Sequence, residues 1–177
     1  MRNFIRNSCR RFLGESGAAS VEFVIVFPIF FTVFVSAFEL AMMNTRAVLL
    51  ERATDIVVRD IRLNQGADYE YADIRDGICE MSFAIPGCVG AIKIEMTPVS
   101  TDTWGTLPTE VDCINRQESV DPIVNFTNGV ENEFLLVRGC AVIDPFFPTV
   151  GIGRTMPKDG TGGYIITASS AFVNEPD

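Results

Sequence analysis

Residues 18–38 read AASVEFVIVFPIFFTVFVSAF, an apolar run broken by one charge, Glu22, and one proline, Pro28. At a helical rise of about 1.5 Å per residue the run reaches the roughly 30 Å of a bilayer's hydrocarbon core, so one membrane-spanning helix is predicted over 18–40. Pro28 removes one backbone hydrogen bond and is expected to kink or loosen the helix there. Ahead of the run stand Arg2, Arg6, Arg10 and Arg11 with only Glu15 opposing them, although the chain as a whole carries 14 basic against 23 acidic residues. Excess positive charge marks the cytoplasmic side, so residues 1–17 form a cytoplasmic basic leader and the remainder lies beyond the membrane.

Working outward toward the C-terminus, no Gly or Pro occurs from Ile29 to Gln65. Val48, Leu49, Ala53, Ile56, Val57, Ile61 and Leu63 recur at spacings of three, four and seven, with Arg52, Asp55, Arg59, Asp60 and Arg62 mainly elsewhere. That pattern predicts an amphipathic continuation of the same helix over 41–64, stopped by Gly66. The head, 65–177, opens with a short helix over 68–82, where Tyr71, Ile74, Ile78 and Met81 keep helical spacing. The period then changes to alternation, giving strands over 91–96, 134–143 (Gly139 an expected bulge) and 163–173. Between them, a long loop at about 99–132 holds an expected short strand at 123–126 and Trp104 as a packing anchor. The fold class is α+β: a long N-terminal transmembrane and amphipathic helix packed on a small antiparallel sheet.

Cysteines stand at 9, 79, 88, 113 and 140, and Cys9 belongs to the leader. The other four lie beyond the membrane. There is no His and no pair of close CxxC knuckles, so disulfides in an oxidising compartment suit Cys79, Cys88, Cys113 and Cys140 better than zinc. Four cysteines allow three connectivities. The preferred one joins Cys79 to Cys88 across Pro86 and Gly87, and Cys113 to Cys140, fastening the long loop to the sheet.

The net charge of -9 argues against nucleic acid as a partner. Without His, Ser-His and Cys-His catalysis is impossible, and no phosphate-binding loop appears. Residues 159–163 are glycine-rich but lack a Lys-Ser/Thr ending and precede a strand, which predicts a turn. The acid pairs Asp73 with Asp76 and Glu131 with Glu133 read as solvated surface. No enzyme activity, cofactor or metal is expected.

Glu22 needs an explanation, because a carboxylate at membrane depth costs ~2.5 kcal/mol or more and such residues have a partner or a task. It lies five residues after Gly17. Within GESGAASVEFVIVFPIFF this spacing resembles the processing site of type IV prepilins. The form Gly17-Ala18-Ala19-Ser20-Val21-Glu22-Phe23, the apolar run with Pro28 and the closing Phe38-Glu39-Leu40 look most like the TadE and TadF group of minor pilins, or pseudopilins, of tight-adherence pili. The resemblance is specific over 17–40, weaker to Asn64 and slight in the head, apart from an ending at 171–176 common in the group.

The resemblance implies a pilin-like fold, with a single-pass inner-membrane protein whose head is periplasmic, or a subunit of the pilus itself. A membrane prepilin peptidase would cut between Gly17 and Ala18, discarding Cys9, and the new amino group of Ala18 would pair with Glu22 of a neighbouring subunit. Other minor pilins, the major pilin and the assembly platform proteins are the implied partners, and pilus initiation, priming or capping the implied task. Two further readings stay open: a secretory signal peptide cut after Val35-Ser36-Ala37, and an uncleaved anchor carrying a periplasmic binding or structural domain.

Overall fold

The structure, a computed structural model, describes residues 18–64, 69–100, 111–118 and 125–174. Helix α1, Ala18–Leu63, is one uninterrupted element of 46 residues that continues through Pro28 and is therefore about 70 Å long. After it come α2 (Tyr71–Met81), a turn of helix α3 (Cys88–Ala91), β1 (Ile92–Val99), β2 (Phe134–Ile143), a second turn α4 (Ile152–Thr155) and β3 (Tyr164–Val173). The strands form one antiparallel sheet in the order β1-β2-β3. The α+β class and the antiparallel sheet expected from alternation are thus present. Gly66 lies outside the described residues.

Period-two patterning decides which face of the sheet is buried. Ile92, Ile94 and Met96 of β1, Leu135, Val137, Ala141 and Ile143 of β2, and Tyr164, Ile166, Ala168 and Phe172 of β3 point to one core. Leu50, Ala53, Val57, Val58 and Ile61 of α1 cover that face, with Ile74 and Ile78 of α2 beside them. The helical stripe therefore differs in part from the one expected: Val48, Ile56 and Leu63 are 61%, 40% and 71% exposed. At about 100° per residue they fall on the side of α1 away from Leu50 and Val57.

Gly139 makes no bulge, because Ile94↔Gly139 and Gly139↔Ala168 continue the register on both sides. It lies on the core face, where a Cβ would meet Ile92 at 3.8 Å and Thr54 of α1 at 3.9 Å. The missing side chain brings helix and sheet close together instead.

The opposite face of the sheet is covered by part of the long loop. Lys93 pairs with Asp112 at 2.7 Å, and Arg116 reaches Asp144 at 2.9 Å and Thr161 at 2.8 Å. Beneath them the buried Glu95 and Arg138 pair with each other. The disulfide Cys113–Cys140 fastens this cover to β2, and Cys79–Cys88 joins α2 to α3, with Cα separations of 5.1 and 5.5 Å. Each cross-link restricts the unfolded chain by an amount worth about 2–4 kcal/mol. The strand expected at 123–126 is, among the described residues, a bridge of Phe126 beside Met96. Ile123, Val124 and Trp104 lie outside the described residues, as does the 175–176 ending.

At the entry to β3, residues 159–163 form a turn whose carboxylate fills its own cradle. Asp159 accepts from the Thr161 hydroxyl (2.7 Å) and from the N–H groups of Gly163 (2.7 Å) and Thr161 (3.0 Å). Partial burial opposes its ionisation, but these bonds and the Arg116 guanidinium outweigh it and hold the carboxyl below its ordinary value. A depressed folded pKa gives stability that is present above the ordinary Asp range and lost as pH falls through the folded value. Asp159→Asn should lower the unfolding free energy near neutral pH by about 1–3 kcal/mol. The gap to the parent should close as pH drops below about 4, seen by denaturant titration of the detergent-solubilised chain; a gap constant with pH would contradict this account.

Candidate functional site

The first part of α1 stands clear of the head. Every residue from 19 to 34 is exposed, including Phe23, Val24, Ile25, Ile29, Phe30 and Val33, and the helix is long and apolar enough to cross a membrane. The rings of Phe23, Phe27 and Phe31, one turn apart, stack at 5.0 and 5.7 Å. Glu22 lies about one turn after Ala18, the first residue of the helix. Among the described residues nothing pairs with Glu22. Gly17 lies outside the described residues, as does Cys9.

The head takes hold where the apolar run ends. Val35 is buried, and the Ser36 hydroxyl accepts from the N–H of Ile152 at 3.2 Å while donating to Thr32 O at 2.7 Å. One turn further, Glu39 is 0% exposed, and its two carboxylate oxygens accept from the N–H groups of Phe146 (3.1 Å) and Phe147 (3.0 Å). Both amides follow Pro145 in a segment without regular structure, where no helix or strand ladder supplies them with an acceptor. Seven residues beyond Glu39, the buried Arg46 donates to Ala84 O at 3.1 Å and to the Tyr164 hydroxyl at 2.7 Å. Its guanidinium also covers the Phe146 ring, 4.6 Å from the centroid.

This junction was only partly legible. In the sequence Glu39 is one letter of a closing motif, and Arg46 by itself carries no signal of a role. The available signal was position: Val35, Glu39, Arg46, Leu50, Ala53, Val57 and Ile61 recur at intervals of three, four and seven, so an acid and a base sit on the buried stripe of α1. Among the described residues, no group of three or more His, Cys, Asp or Glu is placed to hold a metal ion. The four outer cysteines are all taken by the two disulfides. Chemically, the arrangement offers a bare apolar rod with one carboxylate near its start, rigidly coupled to a cross-linked head.

Residues 17–59 match the family model described as TadE-like protein, a stretch that spans Glu22, Glu39 and Arg46 alike. No curated protein and no solved structure matches the chain.

Glu39→Ala should strand the two amides of Phe146 and Phe147, at a cost of about 1–3 kcal/mol each. Glu39→Gln, which keeps one acceptor oxygen, should lose less. Thermal unfolding of the full chain in detergent reads both, and a Glu39→Ala variant as stable as the parent would refute the coupling described.

Proposed function

We propose that this chain, TadE-like over residues 17–59, is a minor pilin or pseudopilin that acts in assembly of a tight-adherence pilus and not in catalysis. The observation that carries this is Glu22: an acid five residues after Gly17, inside an apolar helix, with no partner among the described residues of its own chain. On this reading residues 1–17 are the cytoplasmic leader, 18–40 cross the inner membrane, 41–64 continue the helix into the periplasm, and 65–177 form the head. A prepilin peptidase cuts between Gly17 and Ala18. The freed ammonium of Ala18 and a Glu22 carboxylate are each costly to bury alone and offset one another when packed together in low dielectric. Pairing between neighbouring subunits then sets the axial register of Ala18 on one against Glu22 on the next. Ala19 and Ser20 leave room for close helix approach.

The head supplies the surface for other minor pilins, the major pilin and the platform proteins, and the task is initiation, priming or capping. Val35 and Ser36 favour this over a secretory signal peptide. Cleavage before Phe38 would remove both, although they pack against the head.

N-terminal sequencing of membrane-extracted protein should return Ala18. Met1 would instead identify an uncleaved anchor with a periplasmic domain, and Phe38 a secreted one. In cells, Glu22→Gln should keep the chain in the membrane but sharply reduce pilus number by electron microscopy. Normal piliation in that variant would exclude the charge-pairing role.

A further inference from the structure

The segment that Glu39 and Ser36 hold against α1 has a composition unlike the rest of the head. Residues 145–158, PFFPTVGIGRTMPK, contain Arg154 and Lys158 and no acid, in a chain of net charge -9. Phe146 and Phe147 are 48% and 36% exposed, and they flank Phe38 of α1, itself 41% exposed, with ring centroids 5.6 and 6.1 Å away. Apolar rings left open beside a helix that is bare below them form one continuous apolar surface.

Height along the helix says what meets that surface. The segment touches α1 low down: Ile152 donates to Ser36, and a Cβ on Gly151 would lie 2.3 Å from the Ser36 hydroxyl and 3.4 Å from Thr32 O. At about 1.5 Å per residue Ser36 stands only ~27 Å above Ala18, less than the ~30 Å of a hydrocarbon core that begins at Ala18. The loop therefore hangs at the acyl–headgroup boundary. Aromatic side chains collect at that level, and cations there meet anionic headgroups.

We propose that residues 146–156 form a membrane-contact element that inserts Phe146 and Phe147, with Phe38, into the leaflet on the head's side of the bilayer, while Arg154 lies among anionic headgroups. The inference rests on the membrane-anchored reading of α1. Its consequence is that the head is seated on the bilayer in one orientation, and that leaving the membrane must free this loop as well as the helix.

The test uses the full chain in lipid vesicles at low protein-to-lipid ratio. Trp104, the one tryptophan, is replaced by Phe, and single reporters are introduced as Phe147→Trp, Thr149→Trp, Phe30→Trp or Val48→Trp. Quenching by lipids brominated near the headgroup end or near the methyl end of the chains then reads depth. The proposal expects Phe147→Trp and Thr149→Trp to lose emission mainly to the shallow bromines, and Val48→Trp to neither set. Adding phosphatidylglycerol to phosphatidylcholine should deepen the loop's quenching, and Arg154→Gln should remove that increment. Thr149 is exposed, so its variant reports even if Phe147→Trp perturbs packing. Quenching at Phe30→Trp without any at Phe147→Trp or Thr149→Trp would overturn the proposal and leave the anchored reading intact. Absence of quenching at Phe30→Trp as well would overturn both. Emission from the loop that shifts to the blue only as protein-to-lipid ratio rises would assign the surface to a second copy and reject the lipid contact.

Discussion

Glu39 is a carboxylate sealed between a helix and a loop, and the seating of the head on its stem depends on it. A helix alone offers its neighbours side chains, since its backbone groups are spent on each other. An irregular segment such as that at Phe146 and Phe147 has the opposite problem, with amides that need acceptors. One acid on the helix meets two of those amides at about the ordinary hydrogen-bond length. Ser36 repeats the device a turn below, and Arg46 extends it above, to Ala84 and Tyr164. Three polar positions thus tie α1 to the chain before β1, to the connection after β2 and to the start of β3.

That coupling gives the long helix two environments without any break in it. Below Val35 it exposes a surface that is apolar apart from Ser20, Glu22 and Thr32, as suits a segment surrounded by lipid or by other such helices. Above Val35 it buries one stripe and solvates the rest. The boundary between the two is set by where the head reaches, through Ser36, Glu39 and the loop that carries Phe146 and Phe147. Hydrogen bonds and the core formed with Leu50, Val57 and Ile61 connect rod and head directly among the described residues. The head is cross-linked in turn by Cys113–Cys140, which ties a loop to the three-stranded sheet, and by Cys79–Cys88, which joins α2 to α3.

The turn at Asp159 and the cover over the outer sheet face follow the same logic on a smaller scale. Glycine-rich backbone that could have cradled a phosphate has its N–H groups occupied by the turn's own carboxylate. The outer face of β1 and β2, which carries Lys93, Glu95 and Arg138, is acceptable as buried surface because Asp112 and the Glu95–Arg138 pairing balance the charges there.

Much of this could be read from residue order alone, because the deciding signals are local. An apolar run of bilayer length, a helical stripe, period-two strands and the five-residue step from Gly17 to Glu22 all act within a few turns of chain, so the rod, the sheet and the location of the special acid needed no tertiary information. Which side of α1 faces the sheet, and hence why Val48, Ile56 and Leu63 stay outside, could not be had that way, since apolar residues at helical spacing outline more than one stripe. Nor could Gly139 be recognised as a point of close approach, or Glu39 and Arg46 as a clasp. Their partners, three backbone groups and the Tyr164 hydroxyl, lie 38 to 118 residues away, and only folding brings donors and acceptors from such distances to the same place.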